Sequence, residues 1–101
     1  MLGDPEKTAR YCSLLIAEVR RGMDRIEDAV AARDLGAIRE AAHSLKGTTL
    51  PVKGSDASRL AETLEADADA GREARLPEDL ARLRVVCGQL CEILTKGQRT
   101  E

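Results

Sequence analysis

Aromatic side chains are nearly absent from this sequence: Tyr11 stands alone, with no tryptophan or phenylalanine. The chain therefore has no platform on which nucleobases could stack and no aromatic belt for a bilayer interface. Neither sign of charge dominates. Sixteen Lys and Arg face 18 Asp and Glu, for a net charge of −2, which argues against nucleic acid or another polyanion as a partner. No apolar run approaches the roughly 18 residues of a transmembrane helix, and the opening MLGDPEK lacks the apolar core of a signal peptide. The expectation is a cytoplasmic protein with no membrane partner. Cys12, Cys87 and Cys91 are odd in number and make a poor disulfide framework, so reduced thiols are expected. Cys87 and Cys91 lie one helical turn apart but fall where an apolar stripe needs small hydrophobes, and no metal site is expected there. The sequence also lacks a GxxxxGK[ST] loop and a GxGxxG turn, so no nucleotide cofactor is expected.

What the chain has is helical periodicity. Its 101 residues, 43% of them hydrophobic, suffice for one domain over 1–101 with a single modest core and a polar tail from about 97 to 101. Asp4, Pro5 and Glu6 read as an N-cap, a first-turn proline and a first-turn acid. From there Cys12, Leu15, Val19, Met23, Ile26 and Val30 recur at spacings of three and four, with Gly22 as a point that softens or kinks the helix. Asp34 caps a second helix carrying Leu35, Ile38, Ala42, Leu45 and Thr49 on one face. Pro51 has no N–H to continue it, so this helix ends or kinks near Leu50 and PVKGS becomes a connector.

Ser55 or Asp56 then caps a third helix with Ala57, Leu60, Ala61, Leu64 and Ala68 inward, and Gly71 closes it. Pro77 opens a fourth with Leu80, Leu83, Cys87, Leu90 and Leu94 in a heptad-like row, ended by Gly97. Short connectors favour antiparallel neighbours, and no segment alternates with period two. The predicted fold is an all-α, antiparallel up-down four-helix bundle, with a short or kinked N-terminal extra helix as a variant, in a monomer.

The only histidine, His43, sits in AHSLKG. On a helical wheel the second helix's apolar residues cluster within about 80° and His43 falls about 120° from their centre, on the solvent side. Gly36, Arg39, Gly47 and Leu50 are its surface neighbours, and Lys46 lies one turn on. An exposed imidazole is a nucleophile near neutral pH, and a nearby lysine offers a cation to an anionic group attached to it. Glycine inside a helix costs up to about 1 kcal/mol, and close approach of another molecule is one reason to keep it. The set suggests phosphoryl chemistry with a docking partner.

HSLKG at 43–47 resembles the signature of the histidine-containing phosphotransfer (HPt) domain family. The resemblance continues without gaps through Thr48, Thr49, Val52, Lys53, Gly54, Leu60, Leu64 and Glu65, covering about residues 34–68. Lys53 stands where the family usually has glycine, and Pro51 is unusual so close to the motif. The resemblance implies that His43 is the phospho-acceptor, that Lys46 steadies the phosphoryl group and that Gly47 leaves room for a partner. Gly36, Arg39, Leu50 and Lys53 complete the implied docking face, expected to be basic through Arg39 and Lys53. Glu65 reads as structural or solvated.

The implied function is a phosphoryl carrier without an ATP site, either free-standing or part of a hybrid sensor histidine kinase. Its partners would be response-regulator receiver domains, with Mg²⁺ on the receiver and no cofactor on this chain. The alternatives are a helical adaptor with an incidental histidine and a kinase dimerisation module. The second is disfavoured because Ser44, not an acid, follows His43, and Pro51 comes eight residues later.

Overall fold

In a computed structural model, the structure describes residues 5–52 and 56–97. The expected cap at Asp4, the possible cap at Ser55 and the proposed docking residue Lys53 lie outside the described residues. Four helices follow one another, with no strand among the described residues.

The first, α1 (Pro5–Ala31), buries Cys12, Leu15, Val19, Met23 and Ile26, and its stripe is widened by Ile16 and Ala29. It runs as one helix through Gly22, and the described residues contain no separate N-terminal helix. The expected softening at Gly22 is corrected by packing. A Cβ there would sit 2.9 Å from Leu45 Cδ1, so glycine serves the close approach of the second helix. Arg33 turns the chain in the left-handed region at φ 55°. Its N–H bonds the Val30 carbonyl while that of Asp34 bonds Ala29, satisfying two carbonyls at the helix end.

Asp34 caps α2 (Leu35–Thr49) as expected, its side chain accepting from the Ala37 N–H at 3.0 Å. Ile38, Ala42, Leu45 and Thr49 are buried. Thr49 satisfies its hydroxyl by donating to the Leu45 carbonyl at 2.9 Å. The last helical bond runs from the Leu50 N–H to the Lys46 carbonyl, ahead of Pro51. In α3 (Ala57–Asp69) the apolar row Ala57, Ala61, Leu64 and Ala68 is buried. Asp56 occupies its N-cap without a side-chain cap bond and pairs with Arg59 at 3.2 Å instead. Gly71 closes the helix at φ +73°. A single 3-10 turn (Glu73–Arg75) leads into α4 (Leu76–Gly97), which begins one residue before Pro77 because that turn runs straight into it. Leu80, Leu83, Cys87, Leu90 and Leu94 are all buried.

Each helix packs against the one before and after it, and α4 closes back on α1. The result is an antiparallel up-down four-helix bundle with one core. At 27 and 22 residues, α1 and α4 outreach α2 and α3, at 15 and 13. The outer face of the α2–α3 pair therefore lies opposite the α1–α4 seam.

Candidate phosphoryl-acceptor site

Positions i, i+4 and i+7 share a helix flank, so Arg39, His43 and Lys46 form one row on α2. Opposite them α3 presents Asp69, Glu65 and Glu62 in reverse order, as antiparallel packing requires. The pairs are Arg39 Nε to Asp69 Oδ1 at 4.0 Å, His43 Nδ1 to Glu65 Oε2 at 3.0 Å, and Lys46 Nζ to Glu62 Oε2 at 3.2 Å. In each pair the two residue numbers add to the same total, so a single helix register sets all three.

The His43 side chain is 68% exposed, as its wheel position predicted. An ionised carboxylate can only accept, so the Glu65 contact assigns the ring proton to Nδ1 and leaves a lone pair on Nε2. Among the described residues Nε2 has no hydrogen-bond partner. Glu65, expected to be structural or solvated, meets the ring of His43 across the helix pair, a contact the sequence did not show. Its side chain is 25% exposed, held between His43 and Lys46.

Lys46 is 28% exposed and lies between Glu62 and, at 4.0 Å, Glu65 Oε1. Of the two residues expected to make this face basic, Lys53 lies outside the described residues, and Arg39, like Lys46, is opposed by acids of α3. Gly36, Gly47 and Leu50 are exposed on the same flank of α2 as His43. A Cβ on Gly47 would meet nothing within 4 Å, and one on Gly36 only Asp34 Oδ1 at 3.6 Å. The fold itself therefore does not need glycine at either position, while Leu50 offers an apolar contact at 64% exposure.

The remaining chemistry lies elsewhere. A groove of about 610 Å³ between α1 and α4 is lined by Met23, Cys87, Cys91, Arg20 and Arg84. All three cysteines are free. Burial pushes the Cys87 thiol up to about 12, and burial also raises Cys91 against the pull of Arg20. Among the described residues no group of three or more His, Cys, Asp or Glu is arranged to hold a metal. No helix there is long and apolar enough to cross a membrane.

At the corner between α3 and α4, Asp67 and Asp79 are buried against each other, an arrangement the sequence reading missed. Burial and the Asp67 carboxyl push Asp79 up to about 7, and its Oδ2 is buried without a hydrogen-bond partner. Asp67 is held below its usual range by the Asp79 contact and by Arg72, whose Nε donates to Oδ1 at 2.8 Å.

A family model described as Hpt domain matches residues 10–97. No curated protein and no solved structure matches the chain.

Proposed function

The chain belongs to the Hpt domain family, phosphocarrier bundles of two-component signalling that work with receiver domains, and from that premise we propose that His43 is the residue that carries the phosphoryl group. The observation that carries the reading is the His43–Glu65 contact, which leaves Nε2 outward on an exposed ring. In the proposed step the Nε2 lone pair attacks the phosphorus of a receiver's aspartyl phosphate. The N–P bond forms as the P–O bond breaks, and the aspartate leaves as a carboxylate. The ring keeps its Nδ1 proton and becomes positive, and Glu65 stabilises that charge where it develops. The reverse sequence delivers the group to another receiver.

Lys46, one turn from the ring, supplies the cation for the phosphoryl oxygens. Transfer of this kind depends mainly on positioning and charge, so a carrier needs little else. Gly47 and Gly36 keep bulk low around the ring, and Arg39 and Leu50 form the rest of the docking surface. In this reading Mg²⁺ belongs to the receiver, the chain binds no ATP, and it acts as a cytoplasmic monomer.

The test is incubation with a phosphorylated receiver and Mg²⁺. The protein should gain an acid-labile, base-stable label, and His43→Gln should abolish it while helical circular dichroism persists. Label retained by the variant would overturn the assignment.

A further inference from the structure

Lys46 is already engaged before any phosphoryl group arrives. Its Nζ lies 3.2 Å from Glu62 Oε2, a residue of a different helix, and 4.0 Å from Glu65 Oε1. Glu65 is committed to the ring of His43, so Glu62 is the partner that Lys46 can exchange. The two ends of that contact differ in freedom. The Lys46 side chain is 28% exposed and that of Glu62 is 62% exposed. Lys46 thus has its aliphatic stem packed and its ammonium held near His43, whereas the Glu62 carboxylate can swing into water at little cost.

We propose that Glu62 is the resting counter-ion of Lys46 and a positioning residue for transfer, releasing Lys46 to the phosphoryl group and so setting how strongly His43 retains it. This deepens the reading that His43 is the acceptor and rests on it. The charge balance gives the reason. Among the described residues, three acids of α3 face the two cations Arg39 and Lys46 in the resting state. A phosphoryl dianion on a ring still protonated at Nδ1 adds one further negative charge to a flank already in acidic excess. Lys46 can neutralise it only by giving up part of its bond to Glu62, and Glu62, repelled by the same dianion, turns outward. Retention of the phosphoryl group is the balance of these two claims on one ammonium.

The observable is the equilibrium constant for transfer between a phosphorylated receiver and His43, with the lifetime of the isolated phosphohistidine alongside it. Glu62→Gln frees Lys46 and should shift the equilibrium toward phosphohistidine by about three- to fivefold, the scale of a partly exposed charge pair. Lys46→Met should shift it the other way. In the Lys46→Met background the effect of Glu62→Gln should fall below about 1.5-fold, because the two residues act as a unit.

Thermal unfolding of each variant should stay near that of the wild type, since Glu62 is exposed. Should Glu62→Gln perturb folding, Glu62→Ala provides the same loss of charge. An equilibrium unmoved by either variant overturns the proposal. So does an equal shift with and without Lys46, which would mean simple repulsion of the phosphoryl group by Glu62. A wild-type protein that takes no label overturns the acceptor reading itself, and this inference with it. A labelled protein insensitive to Glu62 overturns only the inference.

Discussion

Glu65 and Asp67 lie two residues apart on α3, yet they inhabit opposite regimes. Glu65 leans over the α2–α3 face, accepts from a histidine ring and remains within reach of water. Asp67 turns into the corner where the 3-10 turn meets α4, and it is buried against Asp79, Arg72 and Arg75. The rotation between i and i+2 on a helix is enough to separate them. At the face, carboxylates meet a ring and two cations across helices, Lys46 lying between two of them, and can change partners. At the corner, two carboxyls compete for one proton and two guanidiniums hold Asp67 in place, which suits holding a turn and not exchanging a group.

Exchanging the roles of these two residues is the strongest way to break the comparison. Glu65→Gln should slow phosphotransfer by about 10- to 100-fold through loss of ring orientation and charge, with little change in unfolding temperature. Asp67→Ala should cost about 2 kcal/mol, on the order of 10 °C in unfolding temperature, and leave the transfer rate per folded molecule unaltered. Stopped-flow transfer and calorimetry on the same samples separate the two. A thermal collapse in Glu65→Gln would erase the distinction.

The second prediction concerns pH. Asp79 titrates near 3.8 when unfolded and is pushed up to about 7 in the fold. Its folded form therefore holds a proton that the unfolded chain has lost across that interval, and stability must fall as pH rises from about 4 to about 7. At about 1.4 kcal/mol per pH unit over an interval of about three units, the loss should be on the order of 4 kcal/mol and level off above the folded value. Asp67 shifts in the opposite direction, so its contribution is lost only at lower pH, as it titrates in the fold. Asp79→Asn keeps a donor toward Asp67 and removes the titration, so its denaturant midpoint should be flat across the interval. A wild-type protein equally stable at pH 5 and pH 8 would contradict the buried pair.

The same contrast between structural and functional use appears in two glycines. Gly22→Ala pushes a methyl to 2.9 Å from buried Leu45 and should cost about 1 kcal/mol, since repacking there is confined. Gly47→Ala meets open space and should gain about 0.5 kcal/mol from helix propensity. Its effect on a docked receiver should run the other way, as weaker affinity in a titration. Equal thermal shifts for both variants would remove the basis for assigning Gly47 to docking.

Much of this was legible before any coordinates, because it depends on single helices. The Asp34 cap, the stop before Pro51, the Gly71 turn and the outward side of His43 each follow from local chemistry and a 3.6-residue period. What lay beyond reach depends on the register between helices. Nothing in the spacing of α3 says that Glu65 meets His43, since that is set by how far the connector lets α3 slide along α2. The burial of Asp79 was hidden similarly. Asp79 stands in the first turn of α4, where sequence alone offers only the helix dipole as a partner, and the corner between α3 and α4 is what brings it against Asp67.

The closing of α4 onto α1 has a consequence for the order of folding. The Arg84–Glu27 contact on that seam joins residues 57 apart in sequence, whereas Lys46 and Glu62 are 16 apart. Loop-closure entropy makes the longer connection costlier by about 1 kcal/mol. The α2–α3 pair is thus the cheaper long-range contact to form, and the α1–α4 seam is the costlier one to close. Opening of that seam alone would expose the groove lined by Met23, Cys87 and Cys91 while leaving the acceptor surface on α2 and α3 assembled.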